Sequence, residues 1–93
     1  MNAKIREKLH NYMEDLADDA LEKIYDSHEK YCRCDKCRLD VLSRVLNRMP
    51  PKYVVTQKGG AFVKLQGLEA QFKADITREA VEALDIVALA PRH

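Results

Sequence analysis

Apolar residues at Ile5, Leu9, Tyr12, Met13, Leu16, Ala20 and Ile24 recur at steps of three and four, the spacing that lines one face of an α-helix. The pattern predicts one long N-terminal helix from about Asn2 to Tyr25. Its outer face is polarised, with Lys4, Arg6 and Lys8 early and Glu14, Asp15, Asp18, Asp19 and Glu22 later. That order opposes the helix dipole, which favours acidic side chains at the start. The plain reading is a solvated face; the sharper one is an acidic patch that meets a basic partner.

Residues 26–36 break the period, and the cysteines, at 32, 34 and 37, fall within and just after them. Asp35 is placed to cap a second helix, whose apolar face is Leu39, Leu42, Val45, Leu46 and Met49. Pro50-Pro51 ends it, because proline lacks a donor and turns its predecessor away from helical angles. Tyr53–Thr56 is β-branched and reads as a strand, Lys58-Gly59-Gly60 as a tight turn, and Ala61–Leu65 as the return. From about Gln66 to Leu89 the chain reads as one long helix with Leu68, Phe72, Ile76, Ala80, Ala83 and Val87 on a single face. The expected fold is mainly α (α+β): long N-terminal helix, Cys-rich loop, second helix, short β-hairpin and long C-terminal helix, in a single domain over residues 1–93. In the last helix, Val81, Leu84, Ile86 and Leu89 spread beyond the main stripe. A helix apolar on several sides must be covered on several sides, so a two-fold homodimer through this helix is expected.

Composition narrows the function. Ninety-three residues fit one small domain. A net charge of +1 lacks the basic excess of a general nucleic-acid binder, so no nucleic-acid polymer is expected as a partner. The segment Met1–His10 has no apolar run of signal-peptide type, and the longest purely apolar run, Ile86–Ala90, is far short of the ~18 residues of a membrane span. A cytoplasmic location without membrane contact is therefore expected, where thiols stay reduced.

That bears on Cys32-Arg33-Cys34-Asp35-Lys36-Cys37. A C-x-x-C step turns two thiolates toward one point, with backbone amides beside their sulfurs, and the C-x-C step adds a third. Cys37 falls in the first turn of a helix, near Lys30, Arg33, Lys36 and Arg38, a setting that favours thiolate. Three soft ligands in a loop suit tetrahedral zinc, which needs a fourth. His93, behind Pro91 at the end of the last helix, is the preferred fourth ligand; His28 is the alternative and His10 the least well aimed. An iron–sulfur cluster would prefer four cysteines, and no thioredoxin-like pattern surrounds the pair. No H-E-x-x-H, G-x-S-x-G or phosphate-loop motif occurs, so a structural zinc without catalysis is expected.

Those same residues carry a family resemblance. Cys32-x-Cys34-x-x-Cys37-x-x-Asp40-Val41, then Leu46-Asn47-x-x-Pro50-Pro51-x-Tyr53-Val54, resembles the late-competence ComFB family. The likeness runs on through the Thr56…Gly59 turn, Gln71-Phe72-x-x-Asp75 and the closing Pro91-Arg92-His93. It implies a small, dimeric, zinc-binding bacterial protein without enzymatic activity, with a terminal His or Cys as fourth ligand. Some members are receptors for cyclic dinucleotides such as cyclic di-GMP, linked to competence, motility or pili. One departure is Arg44, where the family often has an apolar residue.

The residues offer groups for such a ligand. Arg44, Arg48, Lys52, Lys58 and Lys64 are basic, and the Gly59-Gly60 backbone can approach a phosphate. Asp40 can accept from guanine donors, and Tyr53 can stack on a base. The expected ligand set is Asp40, Arg44, Arg48, Thr56, Lys58, Gly59 and Gly60. Two functions remain open: a cyclic-dinucleotide sensor with an unidentified protein partner, or a constitutive zinc-stapled interaction module without a small ligand. Ligand-dependent thermal stabilisation separates them.

Overall fold

A short helix α1 (Ala3–Arg6) is capped by Asn2, whose side chain accepts from the Ile5 N–H. Strand β1 (Leu9–Asn11) follows, and then α2 (Tyr12–Ser27). The computed structural model describes residues 2–55 and 66–91. The expected single helix from Asn2 to Tyr25 is thus divided. The reason is tertiary: β1 pairs antiparallel with β2 (Tyr53–Val55), with Leu9 opposite Val55, His10 opposite Val54 and Asn11 opposite Tyr53. Asn11 fixes the junction. Its Oδ1 accepts from the Met13 N–H at 3.2 Å, capping α2, and from the Lys52 N–H at 2.8 Å. The Tyr12 N–H donates to the Lys52 carbonyl at 2.6 Å. Ile5 and Leu9, given to a core-facing helix by their spacing, are exposed. The apparent conflict with the dipole also disappears, since Glu14 and Asp15 stand in the first turn of α2, where negative charge is favoured.

Helix α3 (Asp35–Arg48) and helix α4 (Gln66–Leu89) lie where the period predicts them. The cap of α3 is Cys34, not Asp35: the Cys34 Sγ accepts from the Cys37 N–H at 3.4 Å. Cys37, Val41 and Val45 form the buried line of α3, with Met49 at its end and Leu42 and Leu46 half-buried beside it. Leu39, expected on that face, is 66% exposed. It stands two residues from Cys37, about 200° round the cylinder.

The core joins Met13, Leu16, Ala17, Leu21 and Tyr25 of α2 to that line and to Ile76, Ala80, Ala83, Leu84 and Val87 of α4. Leu84 is 2% exposed and belongs to this core, not to an outer face. Its burial contributes roughly 1.5–3 kcal/mol to folding. Val81, Ile86 and Leu89 do remain exposed. The sheet formed by the described strands is two-stranded, so the mainly helical α+β class holds. The predicted turn and return strand, from Thr56 to Leu65, lie outside the described residues. Among the described residues no helix is long and apolar enough to cross a membrane.

Candidate metal centre

The end of α2, the loop 28–34 and the first turn of α3 bring Cys32, Cys34 and Cys37 together, with all three Sγ atoms within 4.8 Å of one another. Zinc with Zn–S bonds of about 2.3 Å holds tetrahedral sulfurs about 3.8 Å apart, so a small closure of this triangle seats the ion. The three thiols can therefore hold one metal ion such as zinc. Cys32 is exposed, Cys34 intermediate and Cys37 buried, giving the site an outer edge and an inner wall.

Electrostatically, Cys37 without a metal is uncomfortable as thiolate. Burial pushes the Cys37 thiol up to about 12, and its hydrogen bonds with Cys34 and Cys32 add to the rise. This corrects the expectation that the helix start and nearby basic residues make Cys37 a ready thiolate. Desolvation of the sulfur outweighs them. A divalent ion reverses that balance by displacing the protons.

Two tyrosines that sequence reasoning missed frame the cluster. Tyr31 is buried, and its hydroxyl donates to Asp85 Oδ1 on α4 at 2.6 Å. That bond, with burial behind it, pushes the phenol up to about 12. Tyr25 is 1% exposed. Burial, and then Cys37 and Cys32, raise it above its ordinary value. The guanidinium of Arg33 lies 5.6 Å and that of Arg38 5.3 Å from the centre of its ring. Arg33 also donates to the Tyr25 carbonyl, and Arg38 pairs with Glu22. Tyr25 sits four residues after Leu21, a spacing that marks core; only the fold brings it into the same buried cluster as Cys37.

The histidines separate. His10 is paired with Asp15 at 2.8 Å. His28 forms the cap of α2, its Nδ1 2.9 Å from Ser27 Oγ, and it is not among the converging ligands. His93 lies outside the described residues. Pro91, two residues before it, lines a cleft together with Cys32, Cys37, Tyr31 and Leu84, so the end of α4 approaches the thiols.

The proposed ligand residues are only partly gathered. Asp40, Arg44 and Arg48 follow one another at successive turns of α3. Arg44 and Arg48 border a cleft that also contains Glu79 and Glu82 of α4. Arg48 Nε donates to Glu79 Oε2 at 2.7 Å, and Glu79 is 8% exposed. This arginine is committed to the packing of α3 on α4. Tyr53 is exposed, and Lys52 Nζ lies 5.2 Å from the centre of the Phe72 ring. Thr56, Lys58, Gly59 and Gly60, with Lys64, lie outside the described residues.

A three-helix core with a cysteine triad at one helix start defines a small helical protein with a metal-competent thiol site. The family model described as late competence development protein ComFB matches residues 10–91, and the chain belongs to the ComFB family. The solved structure of the late competence protein ComFB from Bacillus subtilis is similar, at 27% identity and a TM-score of 0.71, over 89% of this chain and 91% of that one. No curated protein matches the sequence.

Proposed function

We propose that this chain is a non-enzymatic, zinc-stapled regulatory protein of the cytoplasm, which works as a homodimer and binds a cyclic dinucleotide, cyclic di-GMP first. The observation that carries the zinc reading is the convergence of three Sγ atoms within 4.8 Å. In this reading His93 completes the set, because Pro91 already borders the cleft of Cys32 and Cys37. Four protein ligands leave no open position for a substrate, which makes the metal structural. Elemental analysis should find one zinc per chain. His93→Ala should weaken zinc binding, while His28→Ala should leave it unchanged; the reverse result transfers the role to His28.

The dinucleotide reading rests on Arg44, exposed on α3 one turn after Asp40, and on the family. With Arg48 held by Glu79, the phosphates fall to Arg44, Lys58 and the Gly59-Gly60 amides, and Thr56 adds a hydroxyl. Asp40 then accepts from guanine. A two-fold ligand suits a two-fold dimer, for which Val81, Ile86 and Leu89 supply exposed apolar surface on α4. Calorimetry of the zinc-loaded chain with cyclic di-GMP should show binding that Arg44→Ala weakens. Absence of heat and of any thermal shift with cyclic dinucleotides favours the constitutive module. For that second reading the supporting observation is the groove of Leu21, Leu39 and Leu42 between α2 and α3, rimmed by Asp18, Asp35 and a Glu22 paired with Arg38, so that acidic side chains outnumber basic ones there. It suits a basic protein segment.

A further inference from the structure

Helix α1 has four residues, none of them buried. An isolated helix needs about 12–15 residues to be even marginally stable in water, so a helix this short calls for a cover. Ile5 within it and Leu9 just after it are 55% and 48% exposed. The segment is also basic, with Lys4, Arg6 and Lys8 against a single acid, Glu7. The match to the family model starts at residue 10, so this basic, apolar pattern over residues 2–9 is a feature of the present chain outside that match.

The groove between α2 and α3 is its mirror image. Leu39 and Leu42 give it an apolar floor, and Asp18, Glu22 and Asp35 stand against a single base, Arg38. Arg38 is taken by Glu22, while Asp18 and Asp35 are exposed and enter no ion pair among the described residues. Segment and groove thus match in apolar character and oppose in charge, the complementarity that selects a partner. They do not meet within one chain. The pairing of β1 with β2 holds the segment at the start of α2, and none of residues 2–9 lines the groove, whose α2 wall runs from Asp18 to Tyr25, about 9–20 Å further along that helix.

We propose that residues 2–9 of one copy dock in the α2–α3 groove of a second copy, with Ile5 against Leu39 and Leu42 and with Lys4 and Arg6 facing Asp18 and Asp35. The inference rests on the groove reading above and names this chain's own segment as its basic occupant. The contact joins unlike patches, so it is separate from the two-fold α4 pairing, in which like meets like. Exposed ion pairs are individually weak, so the association is reversible and set by concentration and salt.

Light scattering of the full chain at rising concentration should show association that salt at roughly 0.5 M weakens, because exposed charges are screened. Reversing the segment (Lys4→Glu, Arg6→Glu and Lys8→Glu together) should weaken it about tenfold or more, and so should reversing the groove (Asp18→Lys with Asp35→Lys). An equimolar mixture of the two variants should regain it, since each reversed patch then faces an opposite charge. If Asp35→Lys disturbs the start of α3, Asp18→Lys with the exposed Leu39→Gln replaces that variant as the groove arm and should show the same loss. A mixture no better than its separate components overturns the proposal. So does association lost through the segment variant alone, which assigns the segment to another acidic surface. A wild-type chain without salt-sensitive association overturns it as well; if a lysine- and leucine-rich peptide still binds that chain and Leu39→Gln weakens the binding, the groove reading stands and only this occupant falls. If no such peptide binds, both fall.

Discussion

The Tyr31 hydroxyl and the Asp85 carboxylate, 54 positions apart in sequence, meet at 2.6 Å and fasten the cysteine loop to the last turns of α4. Tyr31 adjoins Cys32, and Asp85 adjoins the buried Leu84. The bond therefore sets how the exposed edge of the thiol triad lies against the segment that leads to Pro91 and His93. Tyr31→Phe keeps the ring and removes a hydrogen bond to a charged group, worth about 1.5–3 kcal/mol. Urea unfolding of the zinc-loaded protein should show a loss in that range, with zinc still bound at one per chain. A loss under about 0.5 kcal/mol, the size of an ordinary surface change, would mean that solvent replaces the bond at no cost.

Metal removal should separate the cysteines by depth. With zinc present, Cys32→Ser and Cys37→Ser should both lower the melting temperature sharply, because a structural metal's binding energy is folding energy. Without zinc they should part. Cys32 is exposed, so its replacement should be near neutral; Cys37 is 2% exposed, and a hydroxyl there costs about 1–3 kcal/mol if left unpaired. Calorimetric melting of both variants with and without chelator tests the pattern. Equal effects in the metal-free state would contradict the buried placement of Cys37.

Arg44 and Arg48 differ by one helical turn and should behave as different kinds of residue. Arg48→Ala leaves the Glu79 carboxylate with its closest partner gone; Arg78 Nη2 remains only at 4.0 Å. A buried acceptor losing its partner costs about 1–3 kcal/mol, so this variant should unfold at lower urea. Arg44→Ala should leave the midpoint unchanged and weaken cyclic di-GMP binding. A destabilised Arg44→Ala, or a dinucleotide affinity lost equally through both variants at full stability, would reverse the assignment.

Legibility in the sequence followed the range of the forces involved. Helices α3 and α4 are carried by their own apolar stripes and stop signals, Pro50-Pro51 and Pro91, and their positions could be read directly. The triad was legible too, since its ligands lie within six positions of one another. The N-terminal third was not, because β1 exists through its pairing with β2, more than 40 residues later in the chain. Local period alone favours continuing the helix, and one local sign pointed the other way: Asn11 three residues ahead of Glu14, the spacing of a capping signal. The Tyr31–Asp85 bond had no such sign. It depends on where a side chain's last atom lands after the three helices pack.

Asn11 supplies the last prediction, because one side-chain oxygen serves two parts of the chain. It accepts from Met13 N–H, the first turn of α2, and from Lys52 N–H, just before β2. Loss of an N-cap alone typically costs about 1 kcal/mol, and the second donor is left half-buried without its acceptor. Asn11→Ala should therefore cost more than a cap, about 2 kcal/mol. Asn11→Asp keeps the acceptor and should recover most of it. Hydrogen exchange should locate the damage, with faster exchange at Met13 and across β1 and β2 while α3 keeps its protection. Faster exchange confined to α2 would show that Asn11 is only a cap, and that the strand pair stands without it.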